Sequence, residues 1–159
     1  MVAANGSYTE SFEHTALTGV AKKGLAIVTC IDSRINPLAV CGMAAGDAKI
    51  IRNAGARVTE DVLRTLVLAT YLLGVTRVLV MPHTDCRMAT SDEPSIHAEI
   101  FSTHGVDTRS VEFRTVSDQL AALNSDVQRI RSFPLLQQGV VVAGAIYEVA
   151  TGKLNFVAV

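Results

Sequence analysis

The chain has 159 residues, 49% of them hydrophobic and 18% charged, with a formal net charge of -1. That length suits a single domain, 1–159, with an ordinary core, and the apolar excess points to an interface as well. The charge balance, with no basic cluster, excludes nucleic acid as the main partner, and no run of about 18 apolar residues is present to span a membrane. Met1 to Thr9 has neither a basic stretch nor an apolar run of the signal-peptide kind. Three cysteines, Cys30, Cys41 and Cys86, are an odd number and read as reduced thiols in a cytoplasmic protein.

Residues 1–21 are weakly patterned. Thr9 to Ala16 can form a short helix, and the segment reads either as an arm packed on a partner subunit or as a partly ordered tail. Leu25 to Thr29 is a near-continuous apolar run, as expected of a strand buried on both faces. Pro37 can open a short helix through Met43. Gly46-Asp47 is a turn before a second strand, Ala48 to Ile51, which ends in the small-residue loop Arg52-Asn53-Ala54-Gly55-Ala56. Gly55 suits a positive φ there.

Thr59-Glu60-Asp61 starts a helix with a capping hydroxyl and first-turn acids. Val62, Leu63, Leu66, Val67, Ala69, Thr70 and Leu73 form its apolar stripe, and Gly74 ends it. Thr76 to Met81 is the next strand, so strand, helix and strand form a parallel crossover unit. A helix over about Glu93 to Ser102 follows in a polar stretch. Ser117 can cap another, running to about Arg131 with Leu120, Leu123, Val127 and Ile130 on one face. Gly139 to Val149 reads as a strand, Ala150 to Lys153 as a tight turn, and Leu154 to Val159 as a returning antiparallel edge strand. The fold class is α/β: a mostly parallel central sheet with flanking helices and an antiparallel C-terminal edge strand.

Two stretches stand where chemistry is expected. Cys30-Ile31-Asp32-Ser33-Arg34 and His83-Thr84-Asp85-Cys86 each follow a buried strand, at the carboxyl end where open α/β sheets place their sites. Two thiolates and an imidazole suit zinc, and three protein ligands leave a fourth position open. Asp32 and Arg34 sit beside the first ligand and can control that position. The bland alternatives are two buried cysteines with a satisfied core histidine, or a closed structural zinc site completed by Asp32 or Cys41.

These stretches, together with Ile51-Arg52-Asn53-Ala54-Gly55, resemble the β-class carbonic anhydrases in order and interval, from about Gly24 to Gly152. The chain is similar to the compact prokaryotic members. The resemblance implies zinc on Cys30, His83 and Cys86, and an Asp32–Arg34 dyad as the catalytic pair. It also implies a homodimer that can pair into a homotetramer. Attack of zinc-bound hydroxide on CO₂ would then give bicarbonate and a proton. Asp32 would aim the hydroxide while Arg34 grips it; released, Asp32 could become the fourth ligand and close the site. Ser33, Asn53 and Gly55 are expected to contact substrate, with Ser33 equally readable as a turn former. His97 and His104 are candidate proton shuttles or plain loop histidines, and Asp85 an acceptor that steadies the loop or a neighbouring ligand.

Two positions depart from the family's pattern. Arg87 stands where glycine is common, and is either strained at a positive φ or a source of positive charge near Cys86. Pro82 precedes His83 and removes an N–H. Hydrolysis of COS or CS₂ on the same scaffold is the nearest rival function. A zinc-stabilised dimeric module without catalysis is the non-enzyme rival.

Overall fold

The computed structural model describes all of residues 1–159. Five strands make one sheet: β1 (Leu25–Cys30), β2 (Ala48–Asn53), β3 (Arg77–Met81), β4 (Val141–Tyr147) and β5 (Leu154–Val157). Their spatial order is β2-β1-β3-β4-β5. The first four are parallel and β5 returns antiparallel on β4, as the sequence predicts. β1 therefore lies directly against β3, with Thr29 opposite Met81. The Thr29 hydroxyl donates to the Met81 carbonyl at 2.8 Å and ties the two carboxyl ends together.

Alternation along the strands divides the core in two. Ala26, Val28, Val78, Val80 and Val142 face a layer made by helices α3 (Glu60–Leu72) and α6 (Gln119–Arg131). Ile27, Leu79, Met81, Ala145 and Tyr147 face the other way, where Cys30, Cys86, Ile35 and Met88 join them. Burying Val62, Leu63 and Leu66 of α3 contributes about 1.5–3 kcal/mol each, which anchors the helix more firmly than its intrinsic propensity does. Thr59 caps α3 as expected, accepting from the Val62 N–H. The short helices α2 (Pro37–Val40) and α4 (Arg87–Thr90) lie just after the stretches Cys30–Arg34 and His83–Cys86, and α5 is Glu93–His104.

Three local expectations are corrected. The N-terminal helix α1 is Val2–Glu10, not Thr9 to Ala16. It closes with the Ser11 and Phe12 N–H groups donating to the carbonyls of Tyr8 and Thr9, three residues back. The cap of α6 is Asp118, not Ser117: its carboxylate accepts the Ala121 N–H at 3.0 Å. Leu120 in the first turn is exposed, while Leu123, Val127 and Ile130 are buried as expected.

Candidate metal centre

Cys30 ends β1, and the segment Pro82–Cys86 leaves β3 beside it. The end of β4 steers this second segment. The Tyr147 N–H donates to the Pro82 carbonyl, the Thr84 N–H donates to the Tyr147 carbonyl, and the Val149 N–H donates to the Thr84 hydroxyl. Gln119, in the first turn of α6, donates to the His83 carbonyl at 2.8 Å. Pro82 costs the ladder nothing here, because it is its carbonyl that pairs.

The result is a compact group: the ligand atoms of Cys30, His83 and Cys86 all lie within 4.8 Å of one another, and all three residues are buried. The two sulfurs are 4.0 Å apart, too far for a disulfide and close to the ~3.8 Å that a tetrahedral ion with Zn–S bonds of about 2.3 Å would set. His83 Nδ1 is 2.8 Å from the Thr84 carbonyl, which can only accept, so Nδ1 carries the proton. Nε2 is left as a bare acceptor. It is the one buried side-chain nitrogen or oxygen without a hydrogen-bond partner. A buried polar atom of this kind is costly unless something fills its place, and a metal ion held also by two sulfurs does so.

The two sulfurs are electrostatically linked. The neighbouring Cys86 thiol holds Cys30 far below the usual thiol range, with help from the Gly55 N–H, while Cys86 is pushed up by the same contact. Burial opposes charge on His83, but the Cys30 sulfur and the Thr84 carbonyl outweigh it and raise its pKa.

Asp32 and Arg34 meet across one turn. Arg34 Nη2 donates to Asp32 Oδ2 at 2.7 Å and Nε to Oδ1 at 3.0 Å. This grip holds the Asp32 carboxyl well below the ordinary carboxylate range and raises Arg34. Asp32 Oδ2 also lies 3.7 Å from His83 Nε2, so one carboxylate oxygen borders the ligand group. Arg52 shapes the turn from beneath, donating to the carbonyls of Cys30, Asp32 and Ile35.

The other expected residues are spread more widely. Gly55 has φ 76° and donates its N–H to Cys30 Sγ at 3.4 Å. A Cβ there would stand 3.1 Å from that of Met88, so the close approach needs glycine. Both ends of the Asn53 amide are engaged by the backbone of Arg57. Ser33 is exposed on the turn. Cys41 caps α2, outside the ligand group. His97 bonds Thr108 and packs on Phe113, and His104 is exposed in the last turn of α5. Arg87 is unstrained as the first residue of α4 and pairs with Glu99; Asp85 takes the positive φ instead, at 55°. Neither Gln119 nor the buried pair of Arg57 with Asp126 at 2.7 Å is among the residues expected from the sequence. The signal for the latter was a carboxylate between Leu123 and Ile130 on the apolar stripe of a helix.

The family model for carbonic anhydrase matches residues 25–154, which include every residue of this constellation. The chain belongs to the β-carbonic anhydrase family. It is similar to beta-carbonic anhydrase 1 of Mycobacterium tuberculosis, 35% identical over 134 residues that cover 84% of this chain and 81% of the relative. The crystal structure of carbonic anhydrase from Streptococcus mutans matches with a TM-score of 0.91 at 34% identity, covering 99% of this chain and 95% of that one. A carbon disulfide hydrolase of Saccharolobus solfataricus is 29% identical over 175 residues, covering 92% of this chain and 83% of the relative. The β-carbonic anhydrase fold thus accounts for both the mixed sheet and the meeting of the two ligand stretches.

Proposed function

We propose that this chain catalyses the reversible hydration of CO₂ to bicarbonate and a proton, with zinc held by Cys30, His83 and Cys86. The bare, buried Nε2 of His83 facing two sulfurs is the observation that carries the reading. Zinc in this place supplies a Lewis acid that lowers the pKa of water enough for it to act as a nucleophile near neutral pH.

The chain's own residues do the rest. Asp32 presents a carboxylate oxygen at the border of the ligand group, where it can accept a hydrogen bond from the attacking water and orient it. Arg34 keeps that carboxylate ionised and in place with two parallel N–H donors. If Arg34 lets go, Asp32 is free to move toward the ligands and occupy the open position itself, so the dyad gates access. Gly55 forms a wall with Met88 beside Cys30, Asn53 fixes the shape of that wall, and Ser33 is a substrate contact by its place in the motif.

We also infer a homodimer, with a tetramer as its further assembly. Helix α1 buries none of its residues against its own chain, and β2 is an edge strand of the sheet. A second copy covering these surfaces would satisfy both. No helix is long and apolar enough to cross a membrane. Two thiols required as ligands suit a reducing compartment, which supports a cytoplasmic location.

The similarity to a carbon disulfide hydrolase favours a second reading, hydrolysis of CS₂ or COS by the same groups. Stopped-flow hydration of CO₂ run beside CS₂ turnover on one preparation separates the two. Fast hydration with slow or no CS₂ turnover is expected; the reverse order would replace the first reading with the second.

A further inference from the structure

Asp126 is the one buried carboxylate of the protein, and the chemistry proposed above leaves it without a part. It lies on the core side of α6, two turns beyond Gln119. Its Oδ2 accepts from Arg57 Nε at 2.7 Å and its Oδ1 from Nη2 at 3.4 Å. Pairs taken this far out of water stabilise little on balance, because desolvation offsets their attraction. What the pair positions is therefore the more informative question.

Arg57 closes the loop that begins at Asn53. Within it Gly55 and Ala56 both have positive φ, 76° and 58°, and Ala56 is fully buried. A left-handed alanine is strained and persists only where its surroundings hold it. The Asn53 side chain clips the N–H and carbonyl of Arg57 from one side, and Asp126 holds its guanidinium from the other. At the apex of the held turn the Gly55 N–H reaches Cys30 Sγ. A small cavity separates the loop from α6, lined by Gly55, Arg57, Cys86, Met88, Gln119 and Asp126 among others. The ion pair joins the two walls of this cavity.

We propose that Arg57 and Asp126 are positioning residues for the metal centre: anchored on α6, the pair holds the left-handed Gly55–Ala56 turn so that the Gly55 N–H stays on the Cys30 sulfur. That hydrogen bond withdraws electron density from the thiolate and so sets its strength as a metal donor. Helix α6 thereby reaches both ligand strands, through Gln119 to His83 and through Asp126 to Cys30. The inference rests on the metal reading given under Proposed function.

The test uses the whole chain loaded with zinc, and with cobalt(II) as a spectroscopic probe. Asp126→Ala is expected to weaken zinc binding about ten- to hundredfold in chelator competition. It should also move the cobalt–thiolate charge-transfer band to longer wavelength, as loss of an N–H···S contact requires. Asp126→Asn, which keeps one acceptor for Arg57 Nε and loses the one facing Nη2, should fall between wild type and Asp126→Ala. Adding Ala56→Gly to Asp126→Ala should recover most of the loss, since glycine takes the turn unaided. If Asp126→Ala does not fold, Arg57→Lys, which cannot make the two-pronged contact, carries the same expectation and the same rescue. Wild-type affinity and an unmoved band in these variants would overturn the proposal, as would an affinity loss that Ala56→Gly leaves untouched. Wild-type protein that takes up neither metal would instead overturn the metal reading beneath it.

Discussion

Arg34 Nη1 donates to Asp85 Oδ2 at 2.7 Å while its opposite edge grips Asp32, so one guanidinium is held between two carboxylates. Arg34 and Asp85 are substantially exposed, and such a pair contributes only about 0–1 kcal/mol to stability. Its consequence is orientation: with Asp85 holding one edge, the other edge points at Asp32.

Replacing Asp85 separates that role from its backbone role, because φ at this residue is 55°. Asp85→Gly keeps the backbone at ease and removes the carboxylate; kcat/KM for CO₂ hydration should fall about tenfold, with little change in Tm. Asp85→Asn keeps an acceptor and tolerates the same φ, and should retain most activity. Full activity in Asp85→Gly would show that the second carboxylate does not steer Arg34.

Gly55→Ala meets two obstacles at once. The left-handed backbone costs about 1–2 kcal/mol, and the new methyl, 3.1 Å from the Met88 Cβ, adds about 1 kcal/mol of overpacking. Urea unfolding should report a loss of roughly that sum, and zinc affinity should fall with it because the Gly55 N–H contact to Cys30 is displaced. An unchanged unfolding midpoint would mean that the turn relaxes freely.

Glu148, in the turn between β4 and β5, accepts from the Thr151 hydroxyl and the Asn155 amide, and these contacts hold its carboxyl below the ordinary range. A lowered folded-state pKa contributes stability that is present above the unfolded value, about 4.3, and lost as pH falls through the folded one. Glu148→Gln should therefore be less stable than wild type at pH 7. The difference should shrink as the solution becomes more acidic than the ordinary carboxylate range. A gap that stays constant with pH would assign the effect to the amide itself and not to the charge.

The parallel sheet and both ligand stretches were legible in the sequence because buried strands announce themselves as continuous apolar runs. The residues proposed to act in catalysis follow within a few positions. The N-terminal helix was not, since α1 buries no side chain and no apolar face marks where it lies. Choosing between Ser117 and Asp118 as a cap was equally beyond pattern, as adjacent residues both have the needed acceptor. The contacts around the candidate metal centre were hidden for another reason. Arg57 with Asp126, Gln119 with His83, and Arg34 with Asp85 join residues 69, 36 and 51 positions apart, and periodicity carries no information on such pairs. Arg87 shows the same limit: it is the first helical residue of α4, and the left-handed conformation falls two residues earlier, on Asp85.

The most direct test of the account is CO₂ hydration measured by stopped flow from about pH 7 to 9 as zinc is removed with a chelator and added back. Activity proportional to bound zinc is the expectation, reaching its maximum at about one ion per chain, with Asp32→Ala and Arg34→Ala strongly impaired at full zinc. Hydration that persists in the zinc-free protein, or a full complement of zinc with no hydration anywhere in that range, would contradict it.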